Sequence, residues 1–238
     1  MLKHLLVACG CAMLCIVTSA ADKWERGASL LLEGIPSAWN KSRVADRIEV
    51  NGMPILIYAV DSPQTLKEAA VMLSRTWAHE KWRVSNRVDG ENVIILGVKD
   101  GWSKQAILSS SGDKQTQGYL SLSDLPAIIN SDQKNPMPVL GKHLRKPTGT
   151  HVLNEVRTVD DNRVSILTTM TNNYSIEQNI AFYEEDRAAH AWKLAYKRTT
   201  DANGATIFRY VSADYQEATY TVNKIGEQTF VIVNWLTR

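Results

Sequence analysis

The sequence predicts an α+β fold built from two tandem related modules, each of roughly ββαββββ order. Two stretches, residues 62–84 and 172–194, repeat the same apolar register with a constant offset of 110 residues. The aligned pairs include Leu66 and Ile176, Leu73 and Tyr183, and Trp82 and Trp192. Turn signals recur between short β-prone runs on both sides of these stretches, as in antiparallel sheets. We therefore expect each module to be an antiparallel sheet with one helix packed on one face, the two sheets being either separate or continuous.

Five segments are expected along the chain. They are a signal peptide at 1–21, a polar lead-in at 22–45, a first α+β module at 46–126, a proline-rich basic linker at 127–149 and a second α+β module at 150–238. The fourth segment contains Pro136, Pro138 and Pro147. Proline fixes φ and removes a backbone donor, so this segment is predicted to be an extended linker or a wrapping loop.

The first module contains the most strongly patterned helix. A hairpin should precede it, because Asn51-Gly52 separates two β-prone runs and both turn positions require positive φ. Ser62 is predicted to cap the helix, with Pro63 at its first position. Apolar residues then recur with helical period from Leu66 to Trp77. Residues 82–88 alternate like a half-buried strand, and an antiparallel meander follows.

The second module is predicted to repeat this order. A hairpin spans residues 152–169, and Asn172 or Asn173 is the predicted helix cap. Ile176, Ile180 and Tyr183 form the predicted inward stripe. The chain ends on an apolar strand at 230–235, which predicts a C-terminus docked in the sheet.

The N-terminal segment has the features of a bacterial secretory signal. Lys3 precedes an apolar run, Leu5–Val17, and small residues lead to an expected cleavage near Ala20 or Ala21. The run is shorter than the roughly 20 residues that a membrane helix needs, so no membrane insertion is expected after cleavage. The mature protein is therefore predicted to be periplasmic or secreted.

Composition narrows the possible functions of the mature chain. All three cysteines lie at positions 9, 11 and 15, so cleavage leaves a cysteine-free protein without disulfides. Removing residues 1–21 takes away one lysine and no acid, which leaves 26 basic and 25 acidic residues. This near balance argues against nucleic acid as a partner.

The sequence offers no catalytic, cofactor or metal constellation. There is no Gly-x-Ser-x-Gly elbow, no His-Glu-x-x-His and no glycine-rich phosphate loop. Ser111 begins a Ser-x-x-Lys match, but the match lies in a predicted turn without a downstream Lys-Thr-Gly. The four mature histidines are scattered along the sequence. We therefore expect no enzymatic activity, no cofactor and no metal.

Two groups of residues remain as candidates for binding. Trp102 follows a turn glycine and is the tryptophan most expected to be exposed, and Trp77 lies near a helix–strand junction. The linker carries the basic residues Lys142, His143, Arg145 and Lys146, which could bind an anionic partner or simply keep the linker solvated. Trp82 and Trp192, at matched positions, are interpreted as core residues.

Three functional hypotheses follow. The leading one is a non-catalytic accessory or assembly factor of the bacterial envelope that binds another envelope protein, because sheet modules offer edges for strand addition. The second is a small-ligand-binding protein that uses an aromatic cleft between the modules. The third, less favoured, is an enzyme whose site is assembled from both modules.

Overall fold

The computed structural model describes residues 25–112, 115–125, 139–200 and 204–237. They form a mostly antiparallel α+β structure with 13 strands and three helices. They divide into two compact units: unit 1 comprises those within Met1–Val44 and Ile55–Pro126, and unit 2 those within Ala45–Pro54 and Ala127–Arg238. The predicted signal peptide and residues 127–138 of the predicted linker lie outside the described residues.

The described helices are α1 (25–32), α2 (Leu66–His79) and α3 (Ile176–Ala189). The strands are β1 (Asn40–Arg43), β2 (Arg47–Val50), β3 (Met53–Ser62), β4 (Arg83–Asp89), β5 (Asn92–Lys99), β6 (Trp102–Ser110), β7 (Thr116–Asp124), β8 (His151–Asp160), β9 (Arg163–Asn172), β10 (Lys193–Thr199), β11 (Thr206–Val211), β12 (Glu217–Ile225) and β13 (Gln228–Thr237). No helix among the described residues is long and apolar enough to cross a membrane. The described residues contain no cysteine and therefore no disulfide.

Unit 1 is an antiparallel sheet in the order β1-β3-β7-β6-β5-β4. The helix α2 contributes its buried residues Ala69, Leu73 and Trp77 to the same apolar cluster as Leu108 and Leu120 of the sheet. The helical period of these residues brings them to one side of the helix.

The predicted polar lead-in belongs to the core of unit 1. The sequence predicted only a polar lead-in over residues 22–45, whereas residues 25–32 are helical and β1 pairs with β3. Leu31 and Trp39 are buried among the apolar residues of unit 1. These two side chains explain the difference, because their burial stabilises a segment whose other residues are mostly polar.

Unit 2 is an antiparallel sheet in the order β2-β8-β9-β13-β12-β11-β10. Residues 46–54, which the sequence placed in the first module, cluster with this unit because β2 pairs with β8. The turn after β2 has the predicted form, with φ of 52° at Asn51 and 76° at Gly52. Asn51 Oδ1 also accepts a hydrogen bond from Glu155 N at 2.8 Å, which ties the turn to β8.

Both longer helices begin with a capping box rather than at the predicted caps. Thr65 and Glu68 bond reciprocally at the start of α2, and Ser175 and Gln178 do the same at the start of α3. Ser62 instead ends β3, and Asn172 ends β9. The predicted caps precede the observed caps by two or three residues, because a Ser/Thr-x-x-Glu/Gln pair satisfies two orphan N–H groups, whereas a lone cap satisfies one.

Both helices also end in the same way. Trp82 N donates to Trp77 O and Lys81 N to Ala78 O in unit 1, while Trp192 N donates to Arg187 O and Ala191 N to Ala188 O in unit 2. These paired bonds define a Schellman motif, which needs positive φ at its penultimate residue. The motif turns each chain sharply and places a tryptophan back over the last turn of its helix.

The sheet edges differ in burial from the central strands. β4 pairs only with β5 and β10 only with β11 among the described strands. The predicted half-buried face that runs from Trp82 along β4 packs against the apolar cluster only at Trp82 and Val84, whereas Val88 is exposed. An edge strand has a neighbouring strand on one side alone.

The C-terminal strand β13 lies between β12 and β9, which confirms its predicted docking.

Candidate functional site

Unit 2 contains a pocket of about 510 Å3 at the C-terminal end of α3. We call it the Arg187 pocket. Residues from the end of α3, from the loop between β11 and β12, from the segment before β8 and from β13 form its walls. They are His143, Arg145, Asp186, Arg187, His190, Ala191, Trp192, Ser212, Ala213, Asp214, Gln216 and Trp235.

The guanidinium of Arg187 lies between two tryptophan rings. Its central carbon is 4.9 Å from the centre of the Trp192 ring and 4.8 Å from that of Trp235, and Arg187 is only 5% exposed. The Schellman turn positions Trp192, while Trp235 projects from β13. A cation between aromatic faces is attracted by the negative face of each ring, which offsets part of the cost of its burial.

Asp186 supplies the counter-charge for this buried cation. It is 1% exposed, and its Oδ2 accepts a hydrogen bond of 2.6 Å from Arg187. Its Oδ1 lies 3.6 Å from a guanidinium nitrogen of Arg145 and 3.8 Å from Nδ1 of His190. Among the described residues, neither Asp186 Oδ1 nor Arg187 Nε has a hydrogen-bond partner although both atoms are buried. Such groups carry a desolvation cost that a bound ligand or water would relieve.

His143 forms part of the opposite wall. Its ring meets that of Trp235 edge to face at 5.8 Å, and its Nδ1 lies 3.6 Å from a Glu155 carboxylate oxygen. Burial lowers the pKa of His143, and this effect outweighs the opposing influence of Glu155. The imidazole is therefore mostly neutral at pH 7. Its buried Nε2 has no hydrogen-bond partner among the described residues.

The loop between β11 and β12 forms the polar rim of the pocket. Asp214 accepts hydrogen bonds from Ser212 Oγ and from Gln216 Nε2, and these bonds lower the pKa of its carboxyl group. The side-chain oxygen of Gln216 accepts from Trp235 Nε1 at 3.2 Å. This chain of bonds connects the rim to the aromatic wall.

The structure places the sequence-predicted basic residues in different positions. His143 and Arg145 line the Arg187 pocket, whereas Lys142 is exposed and is not one of its lining residues. Lys146 donates to the carbonyl oxygens of Gly141 and Leu144, so it holds its own segment together. Leu144 is buried in the apolar cluster of unit 2, and it anchors the described part of the predicted linker to that unit.

The two sequence-predicted tryptophans lie in unit 1. Trp77 is fully buried, and Trp102 is half-buried against the same cluster. The ammonium group of Lys104 lies 5.2 Å from the Trp77 ring and 4.7 Å from the Trp82 ring. Gly97 leaves room for both rings, since a Cβ there would lie 3.2 Å from Trp77 and 3.4 Å from Trp82.

Sequence reasoning missed Asp186 and Arg187. The signal that could have revealed them is the helical stripe of Ile176, Ile180 and Tyr183, which continues to position 187. A charged residue at an inward position must be paired or stacked. The offset of 110 residues also aligns Arg187 with the buried Trp77 of unit 1.

The other sites considered, the Ser111 motif and a metal centre, have less support than the Arg187 pocket. Ser111 is exposed and its backbone N–H bonds to Gln115 O in a turn, while the lysine of its motif lies outside the described residues. Within the described ranges, no group of three or more His, Cys, Asp or Glu residues could hold a metal ion. The Arg187 pocket, with aromatic walls and a few converging polar groups, has the composition of a binding site.

No protein-family model, curated protein or solved structure matches the chain.

Proposed function

We propose that this is an exported, non-catalytic protein of the bacterial envelope that binds another envelope protein by strand addition at β10. The observation that carries the proposal is that β10 is exposed at all seven of its positions and pairs only with β11 among the described strands. An edge strand of this kind offers unpaired N–H and C=O groups to an extended segment of a partner.

The side chains of β10 indicate what kind of segment would add. The strand carries Lys193, Lys197 and Arg198 and no acidic residue. Lys197 is paired with Glu184 at 2.7 Å, whereas the other two have no ion-pair partner among the described residues. Leu194 and Tyr196 are 49% and 44% exposed. A partner segment with acidic and apolar residues would complement this edge.

The edge strand β4 is a poorer candidate. Its charges have both signs, and Arg87 already lies 3.7 Å from Asp89 on the same strand. Mixed charge gives less discrimination between partner segments than the basic edge of β10 does. β4 therefore serves as an internal comparison for experiments on β10.

Export is proposed from residues 1–21, whose positive start, apolar run and small residues are those of a cleaved signal. Because all three cysteines lie within this segment, its removal leaves a chain without disulfides, which depends on its apolar core. The periplasmic or secreted location belongs to the same proposal as the envelope partner.

We further infer that the two units are tandem related modules. Three local structural features recur at the same offset of 110 residues: the capping box, the Schellman motif and the tryptophan that follows it. Thr65 corresponds to Ser175, Lys81 to Ala191 and Trp82 to Trp192. Common descent explains the recurrence of all three features more simply than separate origin does, since each feature is local and none requires the others.

A small-ligand-binding function is the second candidate. The Arg187 pocket favours it, because its volume and aromatic walls suit a small molecule and because buried polar atoms there lack partners. This pocket lies within unit 2, whereas the sequence hypothesis placed a cleft between modules.

Strand addition is tested by selecting binders for residues 22–238 from a library of synthetic ten-residue peptides with free carboxyl termini. Hydrogen exchange with and without a selected peptide then locates the contact. Added protection of residues 193–199 supports the proposal, since pairing closes the open edge. Arg198→Glu should weaken binding severalfold, while the matched variant Arg87→Glu on β4 should not. Protection confined to other segments, or no selected peptide, would overturn it.

A further inference from the structure

We propose that the Arg187 pocket binds the terminal carboxylate of the strand that adds to β10, an inference that rests on the proposed function. The pocket and the edge strand are continuous in the chain. His190, Ala191 and Trp192 line the pocket, and β10 begins at the next residue, Lys193. The rim loop lies at the same end, because Lys193 pairs with Val211 and the loop follows that residue.

Strand polarity determines which end of a partner arrives at the pocket. Every strand pair in unit 2 is antiparallel. A segment that continues this pattern runs opposite to β10, so its carboxyl end lies beside Lys193 and faces the pocket. The ladder of β10 is irregular between Leu194 and Tyr196 and regular from there to Thr199. The distance along a strand from Tyr196 back to Trp192 is about 13 Å, which the last four residues of the partner would span.

The chemistry of the pocket suits a carboxylate. Two guanidinium groups, those of Arg145 and Arg187, share the single buried carboxylate of Asp186. The Arg145 side chain is 60% exposed and can reach a ligand, and the buried Nε of Arg187 has no hydrogen-bond partner among the described residues. A guanidinium presents donors in a fork that matches the two oxygens of a carboxylate.

The other charged and titratable groups of the pocket are compatible with this ligand. Asp214 is exposed, so solvent screens its charge more than it screens the buried Arg187. Its oxygens are already engaged by Ser212 and Gln216. The buried Nε2 of His143, which has no hydrogen-bond partner among the described residues, can donate to an anion, whereas Nδ1 of His190 is already 2.7 Å from the Asp186 carbonyl oxygen.

The residues of unit 1 at the positions equivalent to the Arg187 pocket do not form the same site. With Val84 aligned on Leu194, the strand registers place Lys104 at the position of Ala218 and Leu122 at that of Trp235. Lys104 and Trp77 are fully buried in unit 1. In unit 2 the small Ala218 stands where unit 1 has the long lysine. Unit 1 also joins β5 to β6 with two residues, whereas residues 212–216 form a longer rim.

The test compares a selected peptide as a free acid and as its carboxamide, on wild type and on Arg145→Gln. On wild type we expect amidation to weaken binding by about tenfold or more, the usual effect of losing a hydrogen bond to a charged group. On Arg145→Gln the difference between acid and amide should shrink, and Arg145→Lys should lie between the two. Arg83→Gln, an exposed arginine on β4, is the matched control and should bind like wild type.

The outcomes separate this inference from the proposed function. Equal binding of acid and amide by wild type, with residues 193–199 still protected, would overturn the carboxylate site and leave strand addition standing. Absence of that protection would overturn strand addition as well. N-acetylglycine serves as a free small carboxylate: competition with the peptide supports the carboxylate site. Tight binding of N-acetylglycine without any effect on peptide binding would assign the pocket to a small ligand instead.

Discussion

Arg187 donates a 2.6 Å hydrogen bond to the carboxylate of Asp186, its neighbour in sequence, and both side chains are buried. Adjacent residues on a helix do not ordinarily face each other. The contact forms here because the rings of Trp192 and Trp235 flank the guanidinium and hold it over the end of the helix. Each charge therefore depends on the other for its compensation.

Replacing Asp186 with Asn should destabilise the protein by about 3 kcal/mol, because it leaves the buried Arg187 charge without its partner. Urea denaturation of the two proteins measures this difference. Asp214→Asn is the control, since that carboxylate is exposed and its loss should leave the free energy of unfolding close to that of the wild type. Equal effects of the two substitutions would contradict the assigned role of Asp186.

The burial of Lys104 leads us to expect that the stability of the protein depends on pH. Burial lowers the pKa of this lysine from 10.5, and the attraction of Glu80, 3.5 Å away, only partly offsets it. Between the lowered folded-state pKa and 10.5 the unfolded chain binds more protons, so this residue makes stability rise with pH in that window. Relative to Lys104→Met, the wild type should therefore gain stability as pH rises toward 10.5.

Denaturation of both proteins at a series of alkaline pH values checks this prediction. The comparison cancels the opposing contribution of Tyr183 and Tyr220, whose pKa values burial raises. A difference between wild type and variant that stays constant with pH would show that Lys104 titrates as it does in the unfolded chain.

Lys81→Gly should stabilise the protein by about 1 kcal/mol. Lys81 occupies the Schellman position with φ of 71°, where a side chain is strained and glycine is not. Arg75→Gly, in the middle of the same helix, should instead cost about 1 kcal/mol. Melting temperatures of the two variants test the pair, and a loss of stability in both would show that position 81 is not strained.

Ser175→Ala should destabilise the protein by about 1 kcal/mol, because it removes the side-chain acceptor for Gln178 N at the start of α3. Asn173→Ala provides the comparison, since Asn173 is exposed and lies before the observed cap. Chemical denaturation should leave this second variant close to wild type. The reverse order of effects would restore Asn173 as the cap.

Much of the fold could be predicted from local signals. Alternation and turn residues located the strands, and the turn at Asn51-Gly52 formed as expected because its two positions need positive φ. The pairing of β2 with β8 could not be predicted in this way. Pairing of Val50 with Val156 joins residues over 100 positions apart, and no local pattern encodes such a contact.

The candidate site was only partly predictable. The sequence indicated His143 and Arg145 as possible binding residues within a basic segment. It could not show that Leu144 between them is buried, which is what brings both to the pocket. Arg187 escaped notice because a single charged residue on a helix is usually solvated, and its burial depends on Trp235, 48 positions away.

Unit 1 has Trp77 and Lys104 at the positions where unit 2 has Arg187 and Ala218. This difference constrains the order in which substitutions can accumulate. Trp77→Arg alone would place a second cation beside Lys104, and Lys104→Ala alone would leave a void next to Trp77. Under the proposed common origin, a route from one arrangement to the other passes through a neutral side chain at one of the two positions. The pair is thus epistatic, because the cost of a substitution at one position depends on the side chain at the other.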